Sequence, residues 1–199
     1  MSPPLKAGDV FLTRGKGLIS WAIRKLTRGI GEKRTEVNHA GLIVQGGPVE
    51  EAIAVEALIR VKRHPLWSQY GPPSADLVAV YRPKNLTAAE IDKIARAAEK
   101  YVTEDYGVIR LAAHLADWFL LGAYAFRRIV PKGKYPICSW LVAESFSKAG
   151  KDFGVEAGEA SPDDIWDFVT KQTDKYEMVY PLELLASGDQ VSERVEASG

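Results

Sequence analysis

Cysteine is almost missing from this chain: there is one in 199 residues. A single thiol excludes an intramolecular disulfide, and with it the small stapled secreted scaffold. Excess charge is missing too. The 26 basic and 26 acidic residues leave a formal net charge of zero. No global field draws the chain to nucleic acid or to an anionic membrane surface, so neither is an expected partner. Long apolar runs are also scarce. The most apolar stretch, residues 108–130, is broken by Arg110, His114, Asp117, Arg127 and Arg128. Its uninterrupted part, residues 118–126, is too short to span a bilayer. The stretch reads as a buried helix, with a surface that meets lipid or an acyl chain as the alternative. The first six residues contain no apolar signal core, so no secretory signal is expected and the expected location is cytoplasmic. No glycine-rich phosphate loop, zinc-protease helix motif or cysteine pair occurs. No nucleotide cofactor and no metal are therefore expected.

What is present is a chain with 46% apolar residues, enough for one domain with a real core. We expect a single domain over residues 1–199, with its core at about 7–180 and a small polar tail from about 187. Val10-Phe11-Leu12 reads as a strand entered from a turn at Gly8-Asp9. Residues 17–26 show helical spacing, and residues 39–44 form a compact apolar run that fits a buried strand. Residues 51–61 continue as β-type sequence and pair with that strand as a hairpin. Residues 76–81 and 176–180 are further strand candidates. Thr87 and Glu90 form a capping box before a helix, and Ser161-Pro162 opens another with serine at the N-cap and proline behind it. Strands first, then helices, then a last strand predict an α+β fold, with an antiparallel sheet packed against helices.

The lone cysteine, Cys138, sits where a helix should begin. Pro136 punctuates the chain, and Leu141, Val142, Ser145, Phe146 and Ala149 follow at helical spacing until Gly150. Unpaired N–H groups and the positive end of the helix dipole favour thiolate there, and thiolate is the nucleophile. The plainer reading is a small buried hydrophobe. A thiol nucleophile needs a base, and the base needs a group to orient it. Of three histidines, His39 is the best base, because it opens a strand run and has the small neighbours Ala40 and Gly41. His64 precedes Pro65 in the basic segment Lys62-Arg63-His64, which reads as a solvated face. His114 reads as a core histidine. Glu56 is the candidate orienting group, a carboxylate inside the apolar run Ala54-Val55-Glu56-Ala57-Leu58. Buried, it needs a partner, and a cross-strand histidine would serve; on an edge strand it would face solvent instead. Asn38 and Asp105 are next in line to hold His39.

In order, the segments Gly8-Asp9-Val10-Phe11, Asn38-His39-Ala40-Gly41-Leu42, Val55-Glu56-Ala57, Asp105-Tyr106, Ile137-Cys138-Ser139-Trp140-Leu141-Val142 and Ser161-Pro162-Asp163-Asp164-Ile165 resemble the permuted branch of the NlpC/P60 papain-like superfamily, the YaeF/YiiX-like hydrolases. In that branch the histidine strand precedes the cysteine helix, as here. The resemblance spans residues 7–180 and implies a small, circularly permuted papain-like fold. It also implies a cysteine amidase or peptidase acting on a peptide or amide substrate, such as a cell-wall-type peptide. Cys138 would be the nucleophile, His39 the base and Glu56 the third polar group, with Tyr106 near the oxyanion or the substrate amine. No cofactor is implied. The family pattern has an acidic residue where this chain has Trp140. The alternatives are a lipid acyltransferase or thioesterase of the lecithin:retinol acyltransferase-like type, and a non-catalytic binding module on the same fold.

Overall fold

Alternating burial along each strand sets the architecture. A computed structural model describes residues 3–15, 36–58, 60–103 and 138–185. Within them the strands are β1 (Val10–Arg14), β2 (His39–Gln45), β3 (Ile53–Ala57), β4 (Val61–Pro65), β5 (Leu77–Pro83) and β6 (Tyr176–Leu184). The helices are α1 (Leu66–Tyr70), α2 (Ala88–Thr103), α3 (Cys138–Ser147) and α4 (Pro162–Lys171). The six strands form one sheet in the order β4-β3-β2-β1-β5-β6, and every pairing is antiparallel. The fold is α+β, as the order of elements predicts.

Side chains alternate between the two faces of a sheet. One face carries Val10, Leu12, Ala40, Leu42, Val55 and Ala79, and packs with α2, α3 and α4 into the main core. The other carries Phe11, Ile43, Ala54, Val78 and Val80, and packs with Leu66 and Tyr70 of α1 into a smaller core. The sheet is thus buried on both sides near its centre, which explains its continuous apolar runs.

The helices begin where local chemistry predicts. The Thr87 backbone N–H donates to Glu90 Oε2 at 2.7 Å, and the Glu90 N–H donates to Thr87 Oγ1 at 3.3 Å. Ser161 and Asp164 make the same reciprocal pair, at 2.9 and 3.1 Å, ahead of α4. These bonds satisfy amide groups that a helix start leaves open. Helix α3 is of another kind. Seven of its residues are buried, including Trp140, Leu141, Val142 and Phe146. The Ser139 hydroxyl donates to the Ala160 carbonyl at 2.6 Å, tying its first turn to the loop before α4. Trp140 packs edge-on against Tyr101 of α2, with ring centroids 5.1 Å apart. Trp140 is therefore a main-core side chain.

Several expectations change. The β-type run expected over 51–61 pairs with β2 as a hairpin, but its strand, β3, ends at Ala57; the Leu58 N–H donates to the Arg60 carbonyl at 3.1 Å, and β4 begins at Val61. Helix α1 had no clear period in the sequence, being five residues long. Strand β6 runs on past Pro181 to Leu184; among the described strands it is at the edge, where proline is tolerated. The helix expected at 17–26, the apolar stretch at 108–130 and the tail from 187 lie outside the described residues.

Two features of β1 place it. Gly8, at φ +91°, makes the turn that precedes it. Asp9 is then buried, and both its oxygens accept from Arg82 of β5, at 2.8 and 2.7 Å. Next comes a close approach: a Cβ on Gly41 would lie 2.2 Å from the Phe11 ring, so the ring of β1 occupies the space a β2 side chain would take. The small residue beside His39 makes room for Phe11. Gly41→Ala should overpack this contact and lower the unfolding free energy by about 1–3 kcal/mol, read from urea denaturation. An unchanged midpoint would mean that the ring moves aside freely.

Candidate active site

Glu56 lies in the middle of this arrangement, on β3, with no solvent exposure. The alternative of a solvent-facing Glu56 is overturned. A buried carboxylate needs donors, and Glu56 has three. Its Oε2 accepts from His39 Nε2. The same oxygen accepts from the Tyr70 hydroxyl at 2.6 Å. Its Oε1 accepts from His64 Nε2 at 2.7 Å. The donors come from β2, α1 and β4.

His39 opens β2, and only 13% of its side chain is exposed. The Phe11 ring lies 6.5 Å from its ring, centroid to centroid, and meets Tyr70 edge-on at 5.6 Å. Because Glu56 takes Nε2, the nitrogen left for other work is Nδ1. The ring also makes a hydrogen bond to the Cys138 sulfur. Cys138 opens α3 and is half-buried. The helix packs on the main-core face, whereas His39 and Glu56 belong to the opposite face. The first residue of the helix and the first residue of the strand meet at the end of β2. The backbone N–H groups of Ala40 and Ser139 also point at the sulfur. Ala40 serves by its backbone, in a strand position where its side chain fills the main core.

The charges follow from these contacts. Burial pushes the Cys138 thiol up, but the His39 charge, the His39 hydrogen bond and the two N–H groups outweigh it and bring the thiol below its ordinary value. Burial pushes the His39 imidazolium down. The opposing charge and hydrogen bond of Cys138, with those of Glu56, outweigh burial and hold it up at about 10. Burial also disfavours the Glu56 carboxylate, yet its hydrogen bonds to His39, His64 and Tyr70 lower it to about 2. Burial first, and then the Glu56 charge, raise the Tyr70 phenol, which keeps it a donor. Each shift favours the ionised form: thiolate, imidazolium and carboxylate in series.

The structure brings together Cys138, His39 and Glu56. It does not bring Asn38 to His39. Asn38 Oδ1 accepts from the Gly15 N–H at 2.9 Å, and its own N–H donates to the Thr13 carbonyl. Asp105, Tyr106 and His114 lie outside the described residues. The reading of His64 as a solvated side chain is corrected. It sits on β4, its side chain is 15% exposed, and it is bonded to Glu56. The physical reason is register. Glu56 pairs with Lys62 and Ala54 with His64, so Glu56 and His64 are diagonal neighbours on one face. Tyr70 was missed as well. The signal for His64 lies in its strand spacing, and it becomes readable once Ala57 is known to end one strand and Val61 to begin the next.

Among the described residues, no group of three or more His, Cys, Asp or Glu side chains is placed to hold a metal ion. No described helix is long and apolar enough to cross a membrane. The sequence matches no family model and no curated protein. Among solved structures, the chain is similar to the metalloprotein YiiX of Escherichia coli O157:H7. The TM-score is 0.50 and the identity 19%, over 94% of this chain and 92% of that one. The likeness is one of fold, to a YiiX-like protein.

Proposed function

We propose that this protein is a thiol hydrolase that cleaves an amide or peptide bond, on a permuted papain-like fold of the NlpC/P60 type. The observation that supports the reading is the series Cys138–His39–Glu56, with the thiol at a helix start and the histidine interacting with both the thiol and the carboxylate. In this reading the Cys138 thiolate attacks the substrate carbonyl carbon. The carbonyl electron pair moves to oxygen, where the Cys138 backbone N–H at the helix start is the natural donor. His39 gives its Nδ1 proton to the leaving amine as the C–N bond breaks, which leaves a thioester. Neutral His39 then takes a proton from water, the hydroxide oxygen attacks the thioester, and the acid leaves as the thiolate and imidazolium re-form. Glu56 stays ionised and holds the His39 ring in one orientation throughout.

YiiX is described as a metalloprotein. Here the Glu56 oxygens are taken by protein donors, and both histidines direct Nε2 at that carboxylate. The described residues do not offer a ligand set, and no step is routed through a metal.

Cys138→Ala should lower turnover of a fluorogenic peptide amide by at least about a thousandfold. Its melting temperature should stay near that of the wild type, because truncating a half-buried side chain leaves little cavity. A variant that keeps its rate would sink the reading. Running amide, ester and thioester substrates in parallel separates hydrolysis of amides from acyl transfer. The pH profile follows from the shifts. The rate should rise as Cys138 ionises, below the ordinary thiol value of 9.0. It should fall as His39 loses its proton, well above the ordinary 6.5 and near about 10. An alkaline limb near 6.5 would contradict a thiolate–imidazolium pair.

Glu56→Gln should be more damaging than an isosteric change suggests. One amide oxygen must replace two carboxylate oxygens that accept from three donors, and the amide NH2 then faces a donor. The rate should fall about tenfold or more, with the Cys138 ionisation moved to higher pH. Wild-type alkylation kinetics in this variant would show that Glu56 does not support the pair.

A further inference from the structure

We propose that His64 and Tyr70 are positioning residues for the Cys138–His39 pair: together they clamp both oxygens of Glu56, with His64 held as an imidazolium that donates from both ring nitrogens. The proposal rests on the thiol reading of the site and deepens it.

The geometry of His64 carries the argument. Its Nε2 is 2.7 Å from Glu56 Oε1, and its Nδ1 is 2.9 Å from the Pro65 carbonyl oxygen. Both partners can only accept. A neutral imidazole has one N–H and one lone pair, so it would turn a lone pair towards an oxygen at one end. The cation alone satisfies both. The Pro65 carbonyl is itself fixed, because it also accepts from the Ser68 hydroxyl at 2.7 Å, in the first turn of α1. Tyr70, two residues further along that helix, donates to the other Glu56 oxygen. One short segment, residues 64–70, therefore holds both ends of the carboxylate.

The charge balance points the same way. Thiolate, imidazolium and carboxylate sum to one negative charge in a site where burial opposes every ionised form. A charged His64 brings the sum to zero, and charges taken out of water persist when they are paired. The charged groups that act on His64 are Glu56 on β3 and Lys62 on its own strand. The hydrogen bond to Glu56 favours the cation, while burial and Lys62 oppose it. Arg63 points to the other face, where it pairs with Glu99 of α2 at 3.0 Å. A clamped Glu56 cannot turn its plane, so the oxygen that orients His39 stays where it is.

The test uses the full-length protein and two measurements. In the wild type, 15N NMR of the histidine rings should show both His64 nitrogens protonated at pH 7.5; a neutral His64 at that pH would overturn the proposal. The second measurement is the rate of Cys138 carbamidomethylation by iodoacetamide as a function of pH. His64→Gln and Tyr70→Phe should each slow it about tenfold at pH 7 and move the thiol ionisation upward. His64→Gln should add nothing further in a Glu56→Gln background, because His64 acts only through Glu56. A structural role would instead add its own loss. Wild-type labelling rates in both single variants would also overturn the proposal, and Tyr70→Phe, which removes one oxygen, carries this arm if the histidine variant folds poorly. A wild-type thiol no more reactive than a free cysteine would sink the hydrolase reading instead, while the NMR state of His64 still reads the clamp.

Discussion

A carboxylate shut away from water is the constraint on which the rest of this molecule depends. Ionised Glu56 inside β3 would cost several kcal/mol, roughly, without donors, and it has them from three separate elements. Strand β2 must therefore start at His39, β4 must keep the register that puts His64 beside Glu56, and α1 must follow β4 at once to bring Tyr70 into place. A slip of one residue in β4 would turn His64 to the opposite face and leave the carboxylate one donor short.

The sheet separates two tasks. Its main-core face holds α3 by buried side chains, so Cys138 is anchored by packing. Its other face holds the histidines and Glu56 by hydrogen bonds, with the Phe11 ring pressed onto Gly41 between His39 and Tyr70. The thiol and the imidazole belong to different cores and meet only at the end of β2. Packing fixes one partner and polar contacts fix the other, so neither core need compromise for the site.

Legibility in the sequence followed the range of the interactions. The Thr87–Glu90 capping box, the Ser161 N-cap, the strand at β1 and the helix start at Cys138 depend on near neighbours in the chain, and each could be read directly. The roles assigned to His39 and Glu56 rested on a carboxylate inside an apolar run and on a resemblance, and the structure joins the two side chains. His64 was misread because Lys62-Arg63-His64 is basic, and basic runs usually face water; only its pairing with Ala54 moves it to the buried side. Tyr70 needed a helix too short to show a period. Asn38, which could have held His39, is used by Gly15 instead.

Among the described residues, strand β4 is an edge of the sheet, with β3 on one side and no strand on the other. Its exposed Lys62 and Arg63 suit that place, since charged side chains discourage another chain from adding on. Local opening favours segments with few buried apolar contacts, and four of the five β4 residues are at least partly exposed. When β4 lifts, His64 leaves with it, and Glu56 keeps its negative charge with fewer donors around it. Fraying at this border thus changes the electrostatics at the centre, so the persistence of the border strand and the acidity of the thiol are two readouts of one local equilibrium.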